Sequence, residues 1–545
     1  MNQSDRKYRP YWEWTTLVLA LGFIAFIRFR FLSVPLERDE GEYAYMAQLL
    51  LKGIPPYTEA YSMKFPGIYF IYAIILRVFG ETHTGIHTAL LLVNLATAVI
   101  IYLIGRRLFG RWEGVVAGIA FAESSAMPVV QGFWANSEHF LIIFAVAGLL
   151  LLLMSADSLS SFLFFLSGFS LGSAFLVKQH GILFFLFACI FLAYLFFRNH
   201  LLTLNVKILK FGIFFLGFLT PVASAFAYLI SKDAFKPFWF WAFTYASRYA
   251  SSTPLPEGFH MLRTYFINMA TPTSILWVTA LTGLIASWKD KKRDSESVFL
   301  SGFFLASILA VSIGFYFRPH YFILLLPSLA LLAGMGIKTL SRYLSKFRIK
   351  TVQMGIPVLL GVAIFLQPFM TYSAVFFQWT PEKLCKQVYG PNPFIESLVI
   401  AQYIQKHTSS DDKVFVFGSE PQIYFYTKRR AVTGYVYMYP LTESHPYVSQ
   451  MQKELILDVE ESKPKYLVYV NVLGSWYNYA NPELNEWIFN WFSRYGSEYY
   501  KQVGCIDIIS RSKTEYVWGP KAATYTPRSK YWVAILEKTP GNSAE

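Results

Sequence analysis

The sequence predicts a polytopic α-helical membrane protein that ends in a small α/β domain. Hydrophobic residues make up 54% of the chain and charged residues only 15%, and the mean hydropathy is +0.38. These values lie outside the range of ordinary water-soluble domains. Apolar runs of the length that a spanning helix needs, about 20 residues, recur through the first 375 residues. Beyond that point the hydropathy falls and short β-rich runs begin.

We interpret about eleven apolar runs as transmembrane helices. The first run has no small-residue cleavage site and is expected to stay in the protein as an anchor. The predicted spans cover residues 12–34, 84–105, 115–132, 138–155, 160–178, 181–198, 208–231, 268–288, 298–317, 321–338 and 352–372.

Lysines and arginines predict the orientation, because short loops rich in these residues stay on the cytoplasmic side. With the N-terminus and its Arg6, Lys7 and Arg9 inside, the basic groups fall in cytoplasmic connections at 106–111, 198–210, 289–293 and 338–350. The loop 35–83 and the C-terminal domain then lie outside the cytoplasm. We therefore expect a multi-pass protein of the plasma (inner) membrane. Topology and contact with membrane lipids account for the net charge of +14, so nucleic-acid binding is excluded.

The C-terminal residues have the pattern of an α/β domain, which divides the chain into 1–375 and 376–545. Two β-rich runs alternate with two helical patterns, which is typical of such a domain. The strands are predicted at 414–417 and 466–470, the helices at 395–407 and 446–462, and further strands at 505–509 and 532–536. Cys385 and Cys505 both fall in this domain, and the sequence leaves their pairing open.

An acidic cluster at residues 38–43 opens the first external loop. Asp39 begins a helical pattern that stops at Gly53, and we expect this helix to lie along the membrane surface. Asp39 and Glu42 have the spacing of a capping box, so helix capping is an alternative explanation for both. Capping does not account for Glu40, which makes Asp39 and Glu40 candidates for catalysis.

Lys64 is the second candidate in this loop. It stands in Lys64-Phe65-Pro66, ahead of an apolar helix at 68–79 that is too short to span a membrane. A lysine at the bilayer surface can hold a phosphate group, and anchoring to lipid headgroups is the alternative.

Five further ionisable residues stand at the predicted outer ends of spans, where such residues are functional candidates. Glu138 could instead be a carboxylate that stabilises a helix N-terminus, and His180 could simply hydrogen-bond a loop. Asp39, Glu40 and Glu138 also supply oxygen ligands suited to Mg²⁺ or Mn²⁺, although no spacing requires a divalent cation. The five residues are Glu138, Lys178, His180, Arg318 and His320.

The aromatic run at residues 238–243 also allows two interpretations. Trp and Phe at this density are typical of the belt that anchors a membrane protein at the interface. The same residues could form a wall against a sugar or a prenyl chain.

Together these motifs resemble the GT-C membrane glycosyltransferases, especially the family 39-like branch of protein O-mannosyltransferases and lipid A aminoarabinose transferases. The resemblance is most specific over residues 35–180. Three differences stand out. Phe65 stands where the family often has proline, and His87 lies near the place of an arginine that is common in the second span of the protein-mannosylating branch. The Trp-Trp-Asp motif of oligosaccharyltransferases is missing from the sequence. The motifs that carry the resemblance are Asp39-Glu40, Lys64 to Pro66, Glu138, Lys178, the run 319–327 and the run 417–424.

The resemblance implies transfer of a sugar from a polyprenyl-phosphate donor to an extracytoplasmic acceptor, with inversion at the anomeric carbon. The acceptor would be a lipid, a glycan or a protein. The family pattern makes Asp39 the base, with Glu40 beside it, and assigns substrate phosphate to Lys64 and Lys178. Arg318 and His320 are further phosphate candidates, and Glu138 and His180 are candidates for substrate contact.

Two other functions remain open at this stage. A membrane transporter or lipid flippase would also carry charged groups, but such proteins usually contain internal repeats, and none is visible. A scaffold whose external domain binds partners would not need the acidic cluster. The sequence identifies neither the sugar nor the acceptor.

Overall fold

Long apolar helices form the chain up to residue 371, and a mixed sheet with its own helices follows. The computed structural model describes residues 11–250, 253–289, 294–347, 350–476 and 482–540. The expected cytoplasmic residues Arg6, Lys7, Arg9, 291–293 and Arg348 lie outside the described residues.

Seven helical stretches are long and apolar enough to cross a membrane, counted within the described ranges. This makes the chain a multi-pass membrane protein, as predicted. These stretches comprise α1 (Tyr11–Arg30), α4 (His83–Leu108), α6 (Ser137–Ser158), α8 (Gly181–Arg198), α9 (Leu204–Ser231), the pair α12 (Leu255–Ala270) and α13 (Ser274–Lys289), and α14 (Asp294–Ser312).

The remaining helices of this part explain why the count of eleven spans is not confirmed. The predicted span 115–132 corresponds to a helix of only 14 residues, α5, which is about 21 Å long against a hydrocarbon core of about 30 Å. It ends early because a turn with Pro128 and Gly132 follows. These helices are α2 (Arg38–Leu51), α3 (Gly67–Phe79), α5 (Arg111–Ser124), α7 (Ser161–Val177), α10 (Phe235–Trp239), α11 (Ala246–Ala250), α15 (Leu326–Leu344) and α16 (Lys350–Thr371).

The helix α2 begins near Asp39 and stops before Gly53, as predicted, and its position along the membrane surface stays a prediction. Its residues 40–49 are all buried. The cause is the helix α20 (Pro421–Thr427) of the C-terminal part, which covers α2 at Gly41. A Cβ added to Gly41 would lie 2.5 Å from the backbone nitrogen of Gln422, so the two helix backbones are in direct contact.

The C-terminal part contains a six-stranded sheet in the order β2-β1-β3-β6-β4-β5. Strands β1, β2 and β3 are parallel, and the other neighbours are antiparallel. All four predicted strands are present. The strands are β1 (Lys413–Phe417), β2 (Arg430–Ala431), β3 (Tyr466–Asn471), β4 (Tyr500–Ser510), β5 (Lys513–Trp518) and β6 (Trp532–Lys538).

Helices connect these strands. The two predicted helices correspond to α19 and α21, and the domain boundary at 375/376 stays a prediction. Cys385 and Cys505 are both free thiols. The helices are α17 (Ser373–Gln378), α18 (Pro381–Tyr389), α19 (Glu396–His407), α21 (Val448–Ser462), α22 (Pro482–Tyr499) and α23 (Pro520–Ala523).

Candidate active site

The capping box of α2 is formed by Glu37 and Glu40, not by Asp39 and Glu42. The Glu37 carboxylate accepts the backbone N–H of Glu40 at 3.0 Å, and the Glu40 carboxylate accepts the backbone N–H of Glu37 at 3.2 Å. The capping interpretation of the Asp39-x-x-Glu42 spacing was therefore wrong, and so was the prediction that capping does not account for Glu40. Asp39 and Glu42 are free to bind side chains instead.

Asp39 is held between a lysine and a tyrosine. Its Oδ1 accepts hydrogen bonds from Lys64 Nζ at 2.8 Å and from the Tyr437 hydroxyl at 2.6 Å. Lys64 Nζ also donates to Glu42 Oε2 at 2.5 Å, and the Tyr69 hydroxyl donates to Glu42 Oε1 at 2.9 Å. Both bonds to Asp39 fall on one oxygen, and its side chain keeps 28% exposure.

The lysine determines the protonation state of Asp39. Burial alone would raise the pKa of Asp39, but the charge of Lys64 and the hydrogen bonds from Lys64 and Tyr437 outweigh burial, so that the pKa lies well below its ordinary value. Burial opposes the charge on Lys64 too, yet the carboxylates of Asp39 and Glu42 hold the lysine pKa above its ordinary value. Asp39 and Lys64 are therefore both charged at neutral pH.

A second carboxylate–lysine pair joins the start of α6 to the end of α7. Lys178 Nζ binds Glu138 Oε1 and stands 4.1 Å from the centre of the Tyr321 ring. His320 Nε2 is 4.0 Å from Glu138 Oε1, and its Nδ1 is 2.7 Å from Gln131 Oε1. Burial lowers the pKa of His320 to about 4, so this ring is neutral at pH 7.

The two pairs belong to one site because their loops touch. The side-chain amide of Gln179 donates to the carbonyl oxygen of Met63 at 3.1 Å, which fixes the residue after Lys178 beside the residue before Lys64. Below this contact, a Cβ on Gly67 would lie 2.5 Å from the Leu176 carbonyl oxygen. The glycine thus lets α3 and α7 approach closely beside the segments that carry the two lysines.

Glu40 is placed differently from Asp39. It is fully buried, and one of its oxygens, Oε1, binds the His87 ring at 2.9 Å and the backbone N–H of Ala135. His87 in turn binds the carbonyl oxygen of Leu32 at 3.0 Å. Glu40 thereby ties α2 to α4 and to the segment before α6.

His180 and Arg318 take opposite environments. His180 is 6% exposed, and among the described residues neither ring nitrogen has a hydrogen-bond partner. Arg318 is exposed, with its guanidinium 5.5 Å from the centre of the Tyr316 ring. Phe315 and Phe317, the neighbours of Tyr316, both have positive φ angles, 57° and 41°. This is a strained conformation for bulky residues.

The sequence missed two important partners. Tyr437 reaches Asp39 from 398 residues further along the chain, and no local pattern signals such a contact. Glu42 was visible in the acidic cluster, but its spacing from Asp39 was interpreted as capping. The sequence does not show that the Glu42 side chain points toward Lys64 and accepts its hydrogen bond.

The carboxylates of the site are paired with lysines rather than with one another. Within the described ranges, no group of three or more His, Cys, Asp or Glu residues is arranged to hold a metal ion. Asp39 and Glu138 each bind a lysine ammonium group through one carboxylate oxygen. A positive charge at that position does not fit the divalent-cation site that their residue types would allow.

Known proteins share both the local sequence and the overall architecture. Residues 63–226 match the family described as dolichyl-phosphate-mannose-protein mannosyltransferase, a segment that includes Lys64, Glu138 and Lys178. No curated protein matches the chain.

Among solved structures, apo ArnT from Cupriavidus metallidurans has a TM-score of 0.60 at 13% identity, covering 96% of this chain and 97% of that one. ArnT of the same organism bound to undecaprenyl phosphate has a TM-score of 0.54 at 14% identity, covering 84% and 93%.

The archaeal oligosaccharyltransferase AglB from Archaeoglobus fulgidus, in complex with an inhibitory peptide and a dolichol-phosphate, has a TM-score of 0.54 at 11% identity, covering 98% of this chain and 77% of that one. Identities this low show a common fold. The matched family and these proteins are glycosyltransferases, which supports the prediction of an enzyme. The chain therefore has the GT-C fold and resembles the branch of protein O-mannosyltransferases and aminoarabinose transferases, as its motifs predicted.

Proposed function

We propose that the protein is a membrane glycosyltransferase that moves a sugar from a polyprenyl-phosphate donor to an acceptor hydroxyl outside the cytoplasm, with inversion. One observation carries this proposal. Asp39 is ionised and partly exposed, and both of its hydrogen bonds, from Lys64 and from Tyr437, fall on the same oxygen. A carboxylate in this state can accept a proton while a neighbouring cation attends to phosphate.

The acceptor oxygen attacks the anomeric carbon and forms the new glycosidic bond, while the bond from that carbon to the phosphate oxygen breaks. The electron pair of the broken bond leaves with the polyprenyl phosphate. The proton of the acceptor hydroxyl passes to Asp39 Oδ2, the oxygen that neither Lys64 nor Tyr437 occupies.

The two lysines would bind the leaving phosphate. In the structure Lys64 pairs with Asp39 and Lys178 pairs with Glu138. We propose that an arriving donor phosphate attracts both ammonium groups and weakens both pairs. Asp39 would then lose part of the charge that holds its pKa down, and it would become a stronger base only once donor is bound.

The remaining candidates receive different roles. Glu138 would hold Lys178 in position, and His320, which lies 4.0 Å from Glu138, would donate or accept a hydrogen bond as a neutral ring. His180 and Arg318 remain candidates for contact with the donor. Glu40 is buried and fully engaged, so we assign it a positioning role rather than direct catalysis.

The structural comparisons support this donor class. Two of the similar proteins were solved with a polyprenyl phosphate, undecaprenyl phosphate in one case and a dolichol-phosphate in the other. The predicted orientation puts the site on the extracytoplasmic face of the plasma (inner) membrane, where donor and acceptor would meet.

The experiment is sugar transfer by the purified protein in lipid nanodiscs. Polyprenyl-phosphate hexoses and pentoses with a radiolabelled sugar are incubated with the protein and a membrane extract. We expect transfer by the wild type and a loss of about 10²- to 10⁴-fold in Asp39→Asn, the usual contribution of a general base. Asp411→Asn, an exposed aspartate of the C-terminal part, is the matched control and should keep full activity.

Two results would contradict the proposal. Full activity of a folded Asp39→Asn protein would remove Asp39 as the base. Failure to turn over any donor, with flipping of the same donors across reconstituted vesicles, would favour a lipid flippase instead.

A further inference from the structure

A cavity of about 390 Å³ lies beside the candidate active site, between the aromatic segment 236–241 and the C-terminal domain. Its volume falls within the range of small-molecule sites, about 300–1,000 Å³. We propose that this cavity binds a carbohydrate unit of the acceptor, next to the hydroxyl that receives the sugar. This inference rests on the proposed function, and it adds the chemical class of the acceptor.

Aromatic rings form the walls of the cavity. Tyr61 and Trp241 stack with ring centres 5.2 Å apart and planes 19° from parallel, and Tyr435 meets Tyr61 edge-on at 5.0 Å. Trp241 is 5% exposed and Tyr435 2% exposed, so neighbouring residues fix both rings. A ring face carries partial negative charge and attracts the polarised C–H groups that a sugar ring presents on its flat side.

Polar groups in the cavity suit a ligand rich in hydroxyls. Glu454 accepts the Tyr61 hydroxyl on one oxygen and the Tyr435 hydroxyl on the other, each at 3.0 Å. Both phenol oxygens thus have fixed directions and keep lone pairs that can accept from a sugar hydroxyl. Gln450 and Lys236 are exposed residues of the lining that can donate.

The charges of the lining favour a neutral sugar over an anionic group. The lining contains one basic residue, Lys236, and one acidic residue, Glu454. A phosphate would meet a carboxylate here, while the paired lysines Lys64 and Lys178 lie in the neighbouring site. The cavity is therefore suited to the acceptor rather than to the phosphate of the donor.

The backbone connects the cavity to the catalytic residues by short steps. Tyr61 precedes Lys64 by three residues, and Tyr435 precedes Tyr437 by two. An extended residue spans at most about 3.6 Å, so the corresponding Cα atoms lie within about 11 Å and 7 Å of each other. A sugar held by Tyr61 and Tyr435 would therefore lie near the backbone segments that carry Lys64 and Tyr437.

The first test measures binding without any need for transfer. Saturation-transfer NMR is recorded on the full-length protein in nanodiscs with methyl mannoside, methyl glucoside, methyl galactoside and methyl N-acetylglucosaminide as probes. We expect at least one glycoside to bind. Gln450→Ala and Trp241→Ala should each raise its dissociation constant about threefold to tenfold, the effect of losing one hydrogen bond or ring contact.

Matched controls lie beside both positions. Lys453→Gln changes an exposed residue of α21 outside the cavity lining, and Trp239→Ala removes a tryptophan that is 50% exposed, two residues before Trp241. Both controls should bind the glycoside like the wild type. Gln450 is exposed, so its substitution tests the cavity even if Trp241→Ala fails to fold.

The outcomes separate this inference from the proposed function. If no glycoside binds, or if Gln450→Ala and a folded Trp241→Ala bind like the wild type, the carbohydrate site is overturned, even where Asp39-dependent transfer is observed. Geranyl phosphate serves as a probe for the donor. The carbohydrate site is also overturned if geranyl phosphate displaces the glycoside equally well from the wild type and from Lys64→Gln, because the phosphate would then bind in the cavity and not at Lys64. Glycoside binding that depends on Gln450, in a protein that turns over no donor, would support the cavity and overturn the transferase.

Discussion

Each carboxylate in residues 37–42 has its own partners, and those partners determine what it can do. Glu37 caps α2, Glu40 is fully buried against His87 and Ala135, and Glu42 is bound by Lys64 and Tyr69. Asp39 alone among the four combines a cation partner with substantial exposure. We therefore propose that chemistry at this cluster depends on Asp39, while the other three hold the helix and the lysine in place.

The first prediction concerns the pH dependence of transfer. The charge of Lys64 holds the pKa of Asp39 below its ordinary value, so in Lys64→Gln that pKa should rise. Because the base must be deprotonated, the acid limb of kcat/KM for the donor should move to higher pH in the variant. The measurement is the pH–rate profile of both proteins between pH 4 and pH 8, where we expect an acid limb in Lys64→Gln and none in the wild type.

A control separates this effect from a general loss of positive charge. Lys453→Gln removes an exposed lysine of the C-terminal domain and should leave the acid limb where the wild type has it. An acid limb at the same pH in Lys64→Gln and in the wild type would show that Asp39 does not titrate in the reaction.

The second prediction tests the positioning role of Glu40. In Glu40→Ala the His87 ring and the Ala135 N–H lose a buried partner, which costs about 1–3 kcal/mol of stability for each unpaired group. Glu40→Gln keeps an acceptor oxygen of the same shape. We therefore expect a lower thermal unfolding temperature for Glu40→Ala and a smaller shift for Glu40→Gln, measured in detergent.

Activity decides between positioning and direct catalysis. A positioning role predicts that Glu40→Gln retains most of its kcat at a temperature where it is folded. A loss in Glu40→Gln as large as that in Asp39→Asn would make Glu40 a participant in proton transfer.

At the scale of elements, close helix contacts assemble the site. The helix α2 carries Asp39, and α20 packs on it so closely that only glycine fits at position 41. The loop that leads into α3 carries Lys64, and α3 approaches α7 at Gly67 in the same way. Small residues at such contacts let the helix backbones approach closely. The close contact fixes the position of one helix relative to the other, and with it the positions of the charged residues nearby.

The third prediction follows from the contact between α2 and α20. In Gly41→Ala the added Cβ would lie 2.5 Å from the backbone nitrogen of Gln422, so the two helices must separate. Overpacking of this kind costs about 1–3 kcal/mol, and the shift should move Asp39 away from Tyr437. We expect lower unfolding temperature and lower kcat, measured on the same preparation.

Gly22→Ala is the matched control. Gly22 lies within α1, and an added Cβ there would meet no atom within 4 Å. Alanine also favours a helix interior more than glycine does. This variant should be as stable and as active as the wild type, and equal behaviour of the two variants would contradict the role of the α2–α20 contact.

At the scale of the whole molecule, the C-terminal domain completes the site. It supplies Tyr437 to Asp39, and its Glu420, fully buried, binds Arg38 at 2.6 Å. Arg38 also binds the Ser419 carbonyl oxygen and Asn392. The run 417–424, noted in the sequence for its family pattern, therefore joins the C-terminal domain to the helix that carries Asp39, the proposed base.

The fourth prediction is a double-substitution cycle across this ion pair. Glu420→Gln leaves the Arg38 charge without its buried partner, and Arg38→Met leaves Glu420 in the same state; each should destabilise the protein by about 3–5 kcal/mol. The double variant should cost less than the sum of the two. The measurement is thermal unfolding, with transfer activity as the second readout.

An exposed ion pair provides the comparison. Arg198 and Asp294 are 54% and 48% exposed, and such pairs contribute at most about 1 kcal/mol. The same cycle there should show additive effects. Additive effects at Arg38 and Glu420 would mean that the C-terminal domain is held on α2 by other contacts.

The sequence by itself determined the membrane class, most helix positions and the strands of the C-terminal domain, because hydrophobic periodicity and apolar run length are local properties. It also gave Asp39, Lys64, Glu138 and Lys178 as candidates for the site, since charged residues at the ends of apolar runs stand out. Tertiary structure alone decided which partners these residues have. Tyr437 and Glu420, for example, reach Asp39 and Arg38 of α2 from distant parts of the chain. It likewise decided that Glu37 rather than Asp39 caps α2, since capping depends on the direction in which the chain enters the helix. The cavity between Tyr61, Trp241 and Tyr435 exists only where three separate segments meet, and no local pattern records such a meeting.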